Sequence, residues 1–271
     1  SHAYVMIRLS KFMKSPIVYN LATQVDCTKR ALYFIERKLT VSYKFLLFDL
    51  DHTLLDFEAA EEVALTQLLQ AEGVEDVEGY KSYYKPMNQQ LWRDSEAKKI
   101  SKSQLVNSRF ALLFEHFGKT VDGPTYAEKY QSFLMHQGQI FAGAKELLAE
   151  LKVSGYEIYA ATNGITRIQE GRLEASDIKP YFKRVFISEQ TGYQKPDKEF
   201  FQIVAKQIPG FDKEQTLFIG DSLTADIQGG NNAGWDTVWY NPANKKNTSS
   251  ARPTYTVNSY SELLQLLHGQ V

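Results

Sequence analysis

The chain has 271 residues, enough for one large domain or a core with a smaller added unit. Apolar residues make up 43% of it, which allows a sizeable core, and the formal net charge of −1 argues against a dedicated binder of nucleic-acid polymers. A single cysteine, Cys27, excludes an intrachain disulfide and a cysteine metal cluster and fits a reducing cytoplasm, and no apolar run approaches the length of a membrane span.

Residues 1–40 hold seven Lys/Arg and two Asp/Glu, a net of +5 that leaves −6 for the remainder. The chain begins Ser-His. Ile17-Val18-Tyr19 is too short for a secretory signal, and Asp26 and Glu36 count against a transit peptide. The stretch is expected to be a non-catalytic extension. Val41 is expected to be the natural start, read from a non-AUG codon, because the first strand follows three residues later at Lys44.

Phe45-Leu46-Leu47-Phe48 leads directly into Asp49-Leu50-Asp51-His52-Thr53. A short apolar run ended by acidic residues predicts a buried parallel strand that opens into a site. Asp49 and Asp51 project to one side of an extended chain. They have no basic neighbour in the stretch and require a metal, a shared proton or solvent. A strand followed by a polar turn, with the aspartates capping a helix, would give the same pattern.

Residues 57–137 carry helical spacing without a strand pattern. A first helix ends at Gly73. Others are expected over Val77–Ala97, Ser103–Phe117 and Tyr126–Met135. From Phe141 helices and strands alternate. The strands are expected at Tyr156–Ala161, Arg184–Ile187, Thr216–Ile219, Asp236–Tyr240 and Tyr255–Val257. The intervening helices are expected at Gly143–Val153, Ile165–Ala175, Asp197–Lys206 (capped by Asp197), Leu223–Ala233 and Ser259–Leu267. Strict alternation means a parallel sheet with right-handed crossovers. The predicted fold is α/β, a Rossmann-like core over residues 41–56 and 138–271 with an inserted α-helical cap over 57–137.

Four strand ends then fall on one edge of the sheet. They bring Asp49, Asp51 and Thr53, then Thr162-Asn163-Gly164, then Lys195-Pro196, then Gly220-Asp221 with Asp226 behind it. Clustered carboxylates suit a hard cation, Mg²⁺ first. A lysine with a hydroxyl and free backbone N–H groups suits a phosphoryl group. Together they point to phosphoryl transfer. Asp226 would also serve as a structural partner of Lys195.

The ordered set DLDHT, ATNG, YQKPD and GDSLTAD resembles the four motifs of the haloacid dehalogenase superfamily of aspartate-nucleophile phosphohydrolases. The resemblance implies Asp49 as nucleophile, Asp51 as general acid and base, and Thr53 as the residue that orients Asp51. It implies Mg²⁺ held by Asp49, the Asp51 carbonyl and Asp221, with Asp226 near by. It implies Thr162 and the backbone around Asn163 and Gly164 on the phosphate, and Lys195 as the charge that offsets the acidic cluster. An acid at Asp51 with the metal set resembles the phosphatase branches, and the superfamily's mutases, which share the core motifs, stay open.

The cap segment from Tyr84 to Trp92, with Glu96 and Arg109-Phe110, is similar to the pyrimidine 5′-nucleotidase branch. That implies a small-molecule phosphate ester as substrate, a nucleoside monophosphate first, taken by a monomer or homodimer. Trp92 would stack on a base, and Asn88 and Arg109 would read its edge or the sugar. Packing inside the cap would equally explain all three. His52 and His116 have no partner pattern. Lys81, Lys85, Lys98, Lys99 and Lys102 read as a solvated face. A sugar-phosphate or phosphoglycolate-type phosphatase and a catalytically silent binding protein stay open.

Overall fold

The computed structural model describes residues 42–269. The expected extension at 1–40 and the expected start at Val41 lie outside the described residues. Six strands form one all-parallel sheet in the order β3-β2-β1-β4-β5-β6. These are β1 (Phe45–Phe48), β2 (Glu157–Thr162), β3 (Arg184–Ile187), β4 (Thr216–Gly220), β5 (Asp236–Tyr240) and β6 (Tyr255–Val257).

β1 is central and buried at every position. Its alternation divides the core in two. Leu46 and Phe48 join one apolar cluster with Leu147, Leu148 and Leu263, while Phe45 and Leu47 join another with Phe200, Phe201 and Trp235. Burying each such side chain contributes about 1.5–3 kcal/mol. The helices that supply these partners are α5 (Ala144–Val153) and α10 (Tyr260–Leu267) on one face, and α8 (Lys198–Lys206) on the other. Strand order reverses at β1 and β4, which places a crevice at the carboxyl ends of those two strands.

Between β1 and β2 the chain builds α1 (Phe57–Ala71), α2 (Val77–Glu96), α3 (Lys102–His116) and α4 (Gly123–Leu134). Each begins at a side chain that accepts from its first turn: Asp56, Asp76, Ser101 and Asp122. Asp122 with Pro124 starts α4 three residues before the expected Tyr126. The four helices pack round their own apolar core, which includes Leu65, Leu68, Tyr80, Tyr84, Phe110 and Tyr130. His116 lies exposed on the surface of this unit, its ring stacked 3.7 Å from that of Tyr83.

Two expectations fail locally. Asp197 makes no side-chain cap on α8 and instead pairs with Lys98 at 2.7 Å. The helix expected from Leu223 opens as a π turn over Leu223–Ile227, and only α9 (Gln228–Ala233) is α-helical. The cause is visible at Ser222: its carbonyl accepts from both Asp226 and Ile227. Also present are α6 (Thr166–Ala175) after β2 and the short α7 (Ser188–Thr191) after β3. Among the described residues no helix is long and apolar enough to cross a membrane.

Candidate active site

β1 ends at Phe48, so Asp49 is the first residue past the sheet. Its amide is still held by Ile219 of β4 at 2.8 Å, which fixes its position between the two strands. His52 follows with φ of 63°, and this left-handed residue turns the chain back over the strand end.

Lys195 is the hub of the site. Its Nζ donates to Asp49 Oδ1 at 2.6 Å, Asp226 Oδ1 at 2.7 Å and the Ala161 carbonyl at 2.9 Å, and the side chain is buried. All three ammonium hydrogens are therefore matched. Burial works against its charge, but Asp226 and Asp49 outweigh that and raise its pKa. Lys195 is locked from behind as well: Asn163 Oδ1 accepts from its amide and Asn163 Nδ2 donates to its carbonyl, both at 2.8 Å. The Asn163 side chain thus ties the end of β2 to the Lys195 backbone.

Asp226 is buried, and its second oxygen accepts from the Ser222 amide at 3.0 Å. It approaches so closely over Gly220 that a Cβ there would stand 2.2 Å from Asp226 Oδ2. Glycine at 220 is therefore a steric requirement of the site.

Asp49, Asp221 and Asp226 bring one carboxylate oxygen each to within 4.8 Å of one another. Burial, followed by the Asp226 and Asp221 charges, pushes the Asp49 carboxyl well above the usual carboxylate range despite Lys195. Burial and Asp226 push Asp221 up to about 6. Three crowded carboxylates against one ammonium leave excess negative charge at a solvent-poor point. An all-oxygen donor set of this kind fits Mg²⁺.

Asp51 has its own cation, which lies far away in sequence. Arg172 Nη1 donates to Asp51 Oδ1, and Gln169 Nε2 donates to Oδ2 at 2.7 Å. Both donors come from α6. Gln169 also donates to Thr162 Oγ1 at 2.8 Å, which links Asp51 to the end of β2. The expected contact from Thr53 is not the one formed: the Thr53 hydroxyl faces Asp221 Oδ1 at 3.5 Å. Arg172 and Gln169 orient Asp51 in its place. No local motif marks them, because they sit mid-helix, 118 and 121 residues away. The Gly164 amide closes the loop after β2 by donating to Thr162 Oγ1 at 3.0 Å.

A cavity of about 470 Å³ runs from these residues to the helical unit. Asp49, Asp51, Thr162, Asn163, Gly164, Lys195, Asp221 and Asp226 line its lower end, with His52 beside them. Glu61, Asn88, Trp92 and Arg109 line the other end. Trp92 is half-buried and stands outside the apolar core of the four helices, so it faces the cavity wall. Asn88 and Arg109 are buried, as is Glu61, which sequence reasoning passed over. Thr53 is buried beneath the site and does not line the cavity.

None of the five cap lysines lines this cavity. Lys81 is buried and paired with Glu62. Lys102 reaches the core, donating to the carbonyls of Asn163 at 2.6 Å and Gly164 at 2.9 Å. For these two the expected solvated face is corrected.

Residues 43–234 match the haloacid dehalogenase-like hydrolases, and the chain belongs to that family. It is 62% identical over 225 residues to the pyrimidine 5′-nucleotidase PynA of Streptococcus pneumoniae, covering 83% of this chain and 95% of that protein. It is 31% identical to the pyrimidine 5′-nucleotidase YjjG of Escherichia coli, covering 84% of this chain and 99% of that one. Among solved structures, the HAD-hydrolase YfnB of Bacillus subtilis, bound to magnesium, superposes with a TM-score of 0.79 at 44% identity. That match covers 83% of this chain and 98% of YfnB.

Proposed function

We propose that this hydrolase is a Mg²⁺-dependent phosphomonoesterase that works through an aspartyl-phosphate and acts on nucleoside 5′-monophosphates, pyrimidine nucleotides first. One observation carries the chemistry: Asp49 opens into a cavity with Lys195 on one oxygen and two further carboxylates beside it. The 62% identical pyrimidine 5′-nucleotidase supports the substrate class. The single cysteine supports a cytoplasmic site of action.

Asp49, the Asp51 carbonyl, Asp221 and Asp226 are the residues that would hold Mg²⁺, which supplies positive charge against the phosphate and the carboxylates. Thr162 and the Asn163 backbone hold phosphate oxygens. Asp49 attacks phosphorus; a P–O bond to Asp49 forms and the ester P–O bond breaks. Asp51 gives its proton to the leaving alkoxide. It then takes a proton from water, which attacks the same phosphorus, releasing phosphate and restoring Asp49. Lys195 stays charged throughout and offsets the negative charge that gathers on the phosphoryl group. Asn88, Trp92 and Arg109 contact the leaving group from the far end of the cavity.

The test is a panel of phosphomonoesters ranked by kcat/KM, with and without Mg²⁺. Nucleoside monophosphates should lead the panel and require the metal. A sugar phosphate or phosphoglycolate in first place would overturn the substrate class. Release of phosphate from none of them would leave a binding protein.

A further inference from the structure

His52 follows Asp51 directly, and the proposed mechanism gives it no task. Its backbone is strained. A φ of 63° lies in the left-handed region, which a residue with a Cβ adopts at a cost and glycine does not. Among the described residues, Lys98 and Asn244 are the other non-glycine positions with a positive φ. Asparagine tolerates that region in turns, and Lys98 is tied by its ion pair with Asp197 at 2.7 Å. The His52 imidazole has no such tie. Among the described residues it makes no hydrogen bond or ion pair, and its ring meets Phe57 edge-on, with 5.6 Å between centroids.

The side chain nevertheless stands exposed in the wall of the cavity that ends at Asp49. A strained residue with a free polar side chain at a site is the pattern left when a ligand supplies the missing partner. The position of His52 indicates which part of the ligand. On the proposed reading, Asp49, Lys195 and Thr162 enclose the phosphoryl group and Asp51 stands at the leaving oxygen. His52 comes next, within electrostatic reach of Asp221 past β4 and of Glu61 in α1. The imidazole therefore lies between the carboxylate cluster and the helical unit, beside the first atoms of the leaving group beyond the ester oxygen. In a nucleoside 5′-monophosphate those atoms belong to the sugar, whose hydroxyl nearest the ester is the 3′-hydroxyl. A neutral imidazole carries one donor and one acceptor, and a hydroxyl matches either.

We propose that His52 contacts the substrate directly, hydrogen-bonding the sugar hydroxyl of the leaving group, which is the 3′-hydroxyl of a nucleoside 5′-monophosphate. The left-handed turn carries the ring into the cavity, and the edge of Phe57 sets its direction. This rests on the nucleotide reading above and adds to it the residue that recognises the sugar.

The test uses the full chain with Mg²⁺ and three substrates: thymidine 5′-monophosphate, its 3′-deoxy analogue and p-nitrophenyl phosphate. Removing the 3′-hydroxyl should lower kcat/KM of the wild type by about three- to tenfold, the loss of one hydrogen bond. In His52→Gly the same removal should cost less than about twofold, because the partner is gone. The variant should also lose more kcat/KM on the nucleotide than on the aryl phosphate, which has no sugar. Glycine relieves the strain at this φ, so the variant should melt no lower than the wild type. Activity lost while stability is kept separates a ligand contact from a packing role. A wild type indifferent to the 3′-hydroxyl overturns the contact before any variant is made. An equal 3′-deoxy penalty in wild type and His52→Gly, or an equal loss on nucleotide and aryl phosphate, overturns it too. A wild type that prefers the aryl phosphate to both nucleotides overturns the nucleotide reading itself.

Discussion

Arg172 holds Asp51: the wholly buried guanidinium donates from Nη1 to Asp51 Oδ1, and its Nε donates to the Gln137 carbonyl at 3.1 Å. The same group lies 5.5 Å from the Phe57 ring centroid. One cation therefore touches Asp51, the proposed general acid, and both segments that connect the helical unit to the sheet, at Phe57 and at Gln137. The placement of Asp51, which Gln169 shares, and the seating of the helical unit are thus joined through one side chain.

Arg172→Met should leave Asp51 without its cation and the Gln137 carbonyl without its donor. Asp51 keeps 24% of its side-chain surface, so water recovers part of the loss. The expected destabilisation is about 2–3 kcal/mol, below the range for a wholly buried pair. The kcat should fall by more than about tenfold, because a misplaced acid forfeits part of its contribution. Urea unfolding and aryl phosphate turnover on one preparation measure both. A wild-type kcat would show that Arg172 does not position the acid.

Lys195→Met removes the shared partner of Asp49 and Asp226. Two buried carboxylates would then face each other with no cation. Metal-free protein should lose about 3–5 kcal/mol. Mg²⁺ should restore more stability to the variant than it adds to the wild type, since the ion then supplies the missing charge. Equal stabilisation of both by Mg²⁺ would contradict a charge-balancing role for Lys195.

How far the sequence reached follows from where each partner sits. The strand-end residues were legible because short apolar runs break abruptly into Asp49, Thr162 and Asp221, and parallel topology carries all such ends to one edge. The cap helices were legible from their spacing. Arg172 and Gln169 were not, because only tertiary packing carries α6 onto Asp51. Glu61 was hidden beside Glu62: successive helix residues point about 100° apart, so one is buried at the cavity while the other reaches Lys81 and Lys85. The Thr53 hydroxyl faces Asp221, a partner 168 residues on that local spacing does not reveal.

Glu61 should impose a pH dependence on the metal-free fold. Its folded pKa of about 7 lies above the unfolded value of 4.5, so the native state keeps a proton that the unfolded state has lost. Stability from this group is complete below pH 4.5 and declines as pH rises through 7. Glu61→Gln removes the titration. Relative to wild type, the variant should gain about 2–3 kcal/mol between pH 5 and pH 8. Parallel stability profiles would contradict a protonated, buried Glu61.

Lys102 ties the start of α3 to the loop that follows β2, and burial lowers its pKa, so its charge is held there at a cost. Lys102→Met should loosen the loop whose backbone is proposed to hold phosphate. The expected effect is a KM raised by about three- to tenfold with a smaller change in kcat, the pattern of lost ground-state positioning. Steady-state kinetics on one nucleotide and one aryl phosphate check it. An unchanged KM for both would remove the link.

The account depends most on Asp49, and Asp49→Asn tests it directly. The substitution keeps shape and a hydrogen-bond acceptor, and Lys195 retains Asp226, so the variant should fold with a melting temperature close to wild type. Turnover of an aryl phosphate in saturating Mg²⁺ is the measurement. A nucleophile at Asp49 predicts a loss of at least about a thousandfold in kcat. A folded variant that keeps a tenth of wild-type turnover would contradict attack by Asp49.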